Sequence, residues 1–202
     1  MQLILPEHTA SARLILDAPE PMTEDAYLSF CEANPGLRIE RTAKGEIVIV
    51  TPAGGESDYR SLEIAGELRS WAKKAGRGTA FGSSAEFLLP NGAALAPDAA
   101  WVSHEKLARL SKEQRRKFLR IVPDFVVEVM SPGDRLPAAI EKMTEWMANG
   151  VTLGWLLNGD NETVYIYRQG QAMEMREGIN ELSGEGPLEG FRINLADLWA
   201  GL

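Results

Sequence analysis

The spacing of apolar residues along the chain predicts helices over residues 24–33, 57–75, 137–148 and 196–199. Ser103 is in addition expected to cap one or two short basic helices that extend through Arg120. Thr23 precedes the first helix and can cap its N-terminus, and Gly76 follows the second as a C-terminal stop. In the long second helix we expect one buried stripe, formed by Leu62, Ala65, Leu68, Trp71 and Ala72.

Short apolar or alternating runs between these helices predict strands. They cover residues 37–41, 47–50, 79–82, 86–89, 98–102, 124–130, 153–157 and 164–167. The first two are separated by a Lys44-Gly45 turn and form a predicted hairpin. The strands at 124–130 and 153–157 flank a helix, so within one sheet they would form a parallel pair with a right-handed crossover. The pattern predicts an α/β or α+β fold with a mixed sheet.

Domain organisation follows from length and periodicity. Residues 1–20 carry little periodic pattern and are expected to form an N-terminal arm. Residues 21–202 are enough for a single domain with a full core.

Composition narrows the class of protein. The net charge of −8 argues against general nucleic-acid binding, which depends on basic surface, so any such role needs a local basic patch. The single cysteine, Cys31, excludes an internal disulfide, and we read it as a small core residue in a reducing cytosol. No apolar run is long enough to cross a membrane and no signal peptide is evident, so we expect a cytoplasmic protein without membrane contact.

Two acidic residues interrupt apolar strands. Glu128 lies in the strand at 124–130, where an ionised carboxylate costs several kcal/mol unless a partner or a metal compensates it. Asp98 lies in a similar apolar context, and Lys142 lies on the helix after Glu128. If the two strands are neighbours, both carboxylates can point to one edge of the sheet and hold Mg²⁺ or Mn²⁺. Alternatively, Asp98 caps a turn after Pro97, Glu128 pairs with a buried arginine, and Asp124 is a solvated acid at a strand end.

A basic segment lies between the two acid-bearing strands. It contains Lys106, Arg109, Lys112, Arg115, Arg116, Lys117 and Arg120. Only Glu105 and Glu113 oppose these charges, so the segment is a candidate phosphate-contact patch. A solvated helical face is the alternative reading.

Several motifs together resemble a known family. They are Ser84-Ala85-Glu86-Phe87-Leu88-Leu89-Pro90-Asn91-Gly92, Ala96-Pro97-Asp98-Ala99-Ala100-Trp101-Val102, Pro123-Asp124-Phe125-Val126-Val127-Glu128-Val129-Met130-Ser131-Pro132, Lys142-Met143, Asn149-Gly150-Val151 and Gly154-Trp155-Leu156-Leu157. In order and spacing the chain resembles the Uma2-type endonucleases, a branch of the PD-(D/E)XK restriction-endonuclease-like superfamily, over roughly residues 20–199. The resemblance implies a restriction-endonuclease-like mixed β-sheet core flanked by helices.

The resemblance also implies site residues. Asp98 and Glu128 match the metal-binding acids of the superfamily, with one or two Mg²⁺ or Mn²⁺ ions as cofactor. The motif lysine two positions after Glu128 is replaced here by Met130, and Lys142 on the following helix would take its role. Glu63 matches an additional acid from an early helix. These four charged residues form the expected catalytic set.

The implied activity is hydrolysis of phosphodiester bonds in nucleic acid, with DNA as the expected substrate and a homodimer as an open possibility. The residues expected to bind nucleic acid are Arg109, Lys112, Arg115 and Arg116. The alternative is a catalytically silent nuclease-fold module that binds nucleic acid or a protein partner. Met130 and the acidic net charge favour this alternative, because fold alone does not establish activity.

Overall fold

The fold is taken from a computed structural model that describes residues 13–16 and 22–202. The helices are α1 (Glu24–Ala33), α2 (Gly55–Ala75), α3 (His104–Ala108), α4 (Leu136–Ala148) and α5 (Ala196–Ala200), with 3₁₀ turns at Gln114–Arg116 and Gly186–Leu188. The strands are β1 (Arg13–Leu16), β2 (Arg38–Arg41), β3 (Ile47–Val50), β4 (Gly78–Gly82), β5 (Phe87–Leu88), β6 (Ala94–Leu95), β7 (Ala99–Ser103), β8 (Phe125–Met130), β9 (Leu153–Asn158), β10 (Thr163–Arg168), β11 (Glu174–Glu177), β12 (Glu181–Ser183) and β13 (Arg192–Asn194).

The central layer is a six-stranded sheet in the order β11-β10-β9-β8-β7-β4. Its only parallel pair is β8 and β9, which α4 connects, and this confirms the predicted parallel crossover pair. The other neighbouring strands are antiparallel. A mixed sheet flanked by helices is the predicted fold class.

The two faces of this sheet are covered by different helices. Successive side chains of a strand point to opposite faces, so β8 contributes to both cores. Val127 packs with Leu68 of α2 on one face, and C-terminal residues such as Phe191 complete that core. Val126 and Met130 pack with α4 on the other face. Glu128, two residues from each of them, therefore lies on the α4 face.

A second sheet of five strands has the order β1-β3-β2-β6-β5. It contains the predicted hairpin, β2 and β3, and packs against α1 through Tyr27, Ile39 and Ile47. Residues 13–16 of the expected N-terminal arm form β1 and pair with β3. The rest of residues 1–20 lies outside the described residues.

Helix boundaries follow the local sequence signals. Thr23 caps α1 by accepting a hydrogen bond from the Ala26 N–H at 3.3 Å. Gly76 ends α2 in the left-handed region, at φ 64°, where glycine has no Cβ penalty. The predicted stripe on α2 was wrong at Leu62, which is 66% exposed, whereas Ile64 is buried. Residues 64, 68 and 72 define the buried line, and Leu62 lies about 200° around the helix from Ile64.

No helix in the described part of the chain has both the length and the apolar content to span a bilayer.

Candidate active site

Asp98 and Glu128 lie next to each other on neighbouring strands. In the antiparallel β7–β8 pair Ala99 is opposite Val127, so Asp98, one residue before β7, comes opposite Glu128. Asp98 Oδ2 accepts a hydrogen bond from the Val129 N–H at 2.8 Å. Asp98 thus bonds across to the neighbouring strand instead of capping the turn after Pro97. Directly opposed residues of an antiparallel pair share a face of the sheet, so both carboxylates face α4.

Lys142 reaches this pair from α4. Its Nζ donates to Glu40 Oε1 at 2.8 Å and to the Ala96 carbonyl at 3.0 Å, and it lies 3.1 Å from Glu128 Oε1. The side chain is 15% exposed. The ammonium thus donates two hydrogen bonds and forms an ion pair with Glu128. The partner of Glu128 is therefore this lysine, not the buried arginine considered from the sequence.

Trp146 holds the Glu128 carboxylate from the same helix. It lies four residues after Lys142 and so on the same face of α4. Its Nε1–H donates to Glu128 Oε1 at 2.8 Å. Glu128 Oε1 therefore takes both contacts, and Oε2 has no hydrogen-bond partner among the described residues. Asp98 Oδ1 is similarly open, with Arg38 Nη2 as an ion-pair partner at 3.9 Å.

Glu40 is a third acid at this site, which the sequence analysis missed. It lies on β2 in the second sheet, and its Oε1 accepts from the Ala96 N–H at 3.2 Å as well as from Lys142. Strand β6 pairs with β2 and runs directly into Ala96, which brings Glu40 beside the Asp98 loop. Glu40 is buried. In the sequence it is a polar position of an alternating hairpin, and such a position usually faces solvent.

Burial and neighbouring charges shift the pKa values of the acids and the lysine in this cluster. Removal from water raises the pKa of Glu128 to about 7, and the negative charges of Asp98 and Glu40 add to the shift while Lys142 opposes it. Burial also raises the pKa of Asp98, although Lys142, the Val129 N–H and Arg38 lower it. For Lys142 burial disfavours the ammonium, but the three carboxylates outweigh it and raise the pKa. The carboxylates are therefore short of compensating positive charge.

The open oxygens suit a hard cation that also takes water and phosphate. Among the described residues, no group of three or more histidine, cysteine, aspartate or glutamate side chains is arranged to hold a metal ion by itself. Mg²⁺, however, commonly uses one or two carboxylates and completes its shell with water and substrate phosphate. Asp98 Oδ1 and Glu128 Oε2 can supply two such ligands. Burial raises the pKa of both carboxyl groups, and a cation bound beside them would favour their ionised forms.

The structure does not bring Glu63 to this site. Glu63 is exposed on α2, and α2 packs against the face of the sheet that carries Val127 and Val129. Glu128 and α4 lie on the opposite face. Glu63 is therefore not part of this cluster, and the third carboxylate beside Lys142 is that of Glu40 from the hairpin.

The predicted nucleic-acid contacts divide into two groups. Arg115 and Arg116 line a cleft whose wall also includes Arg38, a neighbour of Asp98. Arg109 and Lys112 do not line it, and Arg109 pairs with Glu105 at 2.7 Å on the protein surface.

Asp124 has a structural role that the sequence did not indicate. It is buried, pairs with Lys106 Nζ at 2.8 Å and accepts from the Ser103 N–H at 2.7 Å. The interpretation of Asp124 as a solvated strand-end acid was therefore wrong.

Comparison with known proteins identifies the fold and the family of this chain. A crystal structure from Anabaena variabilis, described as "a putative nuclease belonging to DUF820", matches this fold with a TM-score of 0.75 and 21% sequence identity, covering 89% of this chain and 98% of that chain. At this identity the likeness shows a shared fold. Residues 24–196 match the Uma2 family, described as "Putative restriction endonuclease", and the chain belongs to that family. No curated protein matches the sequence.

Proposed function

We propose that this protein is a metal-dependent nuclease that hydrolyses phosphodiester bonds of nucleic acid. The observation that carries the proposal is the placement of Lys142 between Glu128 and Glu40, beside Asp98. Two acids and a lysine from three separate elements share one buried site, as the PD-(D/E)XK resemblance implies. Membership of the Uma2 family and the nuclease-like fold support the same chemistry.

Each residue has a distinct proposed role. Asp98 Oδ1 and Glu128 Oε2 would hold Mg²⁺ or Mn²⁺, which when bound supplies Lewis-acid activation of the phosphate and an acidified water. The Val129 N–H fixes the Asp98 carboxylate, and Trp146 fixes that of Glu128. Lys142 places a positive charge where the phosphate gains negative charge.

Glu40 acts as a positioning residue in this account. Its Oε1 binds both the Lys142 ammonium and the Ala96 N–H, which anchors the lysine to the loop before Asp98. Met130 is buried among apolar residues under α4, on the same face of β8 as Glu128, so the motif position two after Glu128 supplies no charge here. A lysine from α4 is the consistent replacement.

One observation favours the silent-module alternative. Lys142 donates hydrogen bonds to Glu40 and to the Ala96 carbonyl and forms an ion pair with Glu128, so in this arrangement groups of the protein already engage its ammonium. A protein that kept this arrangement would bind nucleic acid without cutting it.

Cleavage of a labelled random-sequence pool of DNA and RNA, single-stranded and duplex, with Mg²⁺ or Mn²⁺ tests the proposal. The wild type is compared with Asp98→Asn, Glu128→Gln and, as a control acid outside the site, Glu63→Gln. We expect the first two variants to lose more than about 100-fold in rate, because even residues outside the ligand shell contribute about 10- to 100-fold. Glu63→Gln should cut normally.

Metal-dependent cleavage that survives in both site variants would contradict the assignment. Absence of cleavage of every substrate by the wild type would leave the silent module as the better account.

A further inference from the structure

A large open cleft leads to the candidate active site. Its volume is about 960 Å³. It lies between the loop after α1, at residues 34–37, and the C-terminal part of the basic segment, at residues 115–120. Arg38 and Ala96 line it as well. Ala96 accepts a hydrogen bond from Lys142, and Arg38 lies 3.9 Å from Asp98, so the cleft reaches residues in direct contact with the site. The volume is at the upper end of the about 300–1,000 Å³ typical of ligand pockets.

The cleft is basic, in contrast to the protein as a whole. The charged residues that line it are Arg38, Arg115, Arg116, Lys117 and Arg120, with Glu32 and Glu86 as the acids. This excess of positive charge stands on a chain of net charge −8. Arg116 makes no ion pair within the described part of the chain, and Arg115 uses its Nε to bind the Leu110 carbonyl at 3.1 Å. Such a surface suits a polyanion.

The same cleft presents partly exposed apolar side chains among these charges. Phe81 and Phe118 are half-buried and line the cleft, and Leu37 is 47% exposed at its rim. Aromatic rings beside a basic groove are the usual platform for unpaired bases, which stack on them through their faces. In a duplex those faces are already stacked on neighbouring base pairs, so only an unpaired strand can use both kinds of contact.

We propose that this cleft binds single-stranded nucleic acid, with Arg116 contacting phosphate and Phe118 stacking on a base. The strand would run from the basic segment past Arg38 to Asp98. The path of the strand to Asp98 rests on the proposed nuclease function, but the binding itself does not. The expected ligand is an unpaired polynucleotide, either DNA or RNA.

Fluorescence anisotropy in EDTA tests the binding without any cleavage. The probes are labelled 20-nucleotide oligo-dT, oligo-rU and a 20-base-pair DNA duplex. The wild type should bind at least one single strand more than about tenfold tighter than the duplex. Phe118→Leu should weaken single-strand binding by about fivefold or more, since one base stack accounts for about 5- to 150-fold. Arg116→Ala should lower the slope of log affinity against log salt by about 0.7.

Two matched controls separate these effects from loss of structure. Phe30 is another half-buried phenylalanine of the apolar cluster that contains Phe118, but it does not line the cleft, so Phe30→Leu should leave binding unchanged. Arg192 is an exposed arginine on β13, paired with Glu181 and outside the cleft, and Arg192→Ala should leave the salt slope unchanged. Thermal melting verifies that each variant is folded.

Duplex binding as tight as single-strand binding would overturn the proposal, as would equal losses in Phe118→Leu and Phe30→Leu. The result is independent of the nuclease assay. Cleavage without single-strand binding would refute this inference and leave the proposed function standing. Single-strand binding without cleavage would do the reverse.

Discussion

Replacing Lys142 by methionine tests whether its ammonium is the charge that keeps the buried acids together. Methionine keeps most of the apolar stem and removes the contacts to Glu40 at 2.8 Å, Glu128 at 3.1 Å and the Ala96 carbonyl at 3.0 Å. The remaining carboxylates would then repel each other in a buried site. Lys142→Met should therefore lower the free energy of unfolding.

The expected magnitude follows from burial and pH. Removing one partner of a buried ion pair costs about 3–5 kcal/mol, and the lower end applies here because Lys142 is 15% exposed and the acids can protonate. With a pKa of about 7, Glu128 is ionised at pH 8 and largely neutral at pH 6. The pKa of Lys142 is raised above 10.5, so the wild-type ammonium is present at both pH values. We expect a loss of about 3 kcal/mol at pH 8 and about half of that at pH 6.

Urea unfolding at the two pH values measures this difference, and Lys106→Met is the matched control. Lys106 Nζ also contacts a buried acid, Asp124 at 2.8 Å, and a backbone carbonyl, that of Val122 at 3.0 Å. It is 25% exposed and has one carboxylate partner, so its removal should cost less than that of Lys142. Equal losses for the two variants, or a Lys142→Met loss that does not shrink at pH 6, would refute the reasoning.

Three further predictions concern the surroundings of the site and the packing of the central sheet. Burial raises the pKa of Glu86 from 4.5 to about 7, so the stabilisation of the folded state by the protonated Glu86 carboxyl group is present below pH 4.5 and is lost as the pH rises through 7. Glu86→Gln cannot ionise and avoids this loss. Its free energy of unfolding in urea should therefore rise, relative to that of the wild type, by up to about 3 kcal/mol over that window. Met130 is buried in the apolar core, so Met130→Lys should lower the melting temperature without raising any cleavage rate. A Cβ at Gly78 would lie against the Trp101 ring and 2.5 Å from the Val102 carbonyl oxygen, so Gly78→Ala should destabilise the fold by about 1–3 kcal/mol in urea, whereas Gly66→Ala on the exposed side of α2 should not.

Sequence reasoning reached Asp98 and Glu128 because each interrupts an apolar strand. A carboxylate in such a run is conspicuous in the sequence. The pairing of β7 with β8 is then sufficient to bring the two acids together. The parallel β8–α4–β9 unit was predictable because a crossover helix between two buried strands leaves few alternatives. Lys142 was noted on the helix after Glu128, the resemblance to the Uma2 type gave it an expected role, and α4 does direct it to Glu128.

Glu40 and Glu63 show where that reasoning stops. Both are acids in amphipathic elements, and nothing local distinguishes a buried one from a solvated one. The difference arises from tertiary packing: α2 covers the sheet face away from Glu128, whereas the β2–β6 contact brings Glu40 to the loop at Ala96. The cleft was out of reach for the same reason, since its two walls come from α1 and from residues about 80 positions later.

The most direct test of the central claim, that Asp98 and Glu128 together hold a divalent cation, is a calorimetric titration with Mn²⁺. It compares the wild type with Asp98→Asn and with Asp160→Asn, an exposed acid that pairs with Arg60 away from the site. The account predicts saturable binding to the wild type and to Asp160→Asn, and an affinity at least about tenfold weaker for Asp98→Asn. Equal Mn²⁺ affinity in all three proteins, or no binding to the wild type, would contradict it.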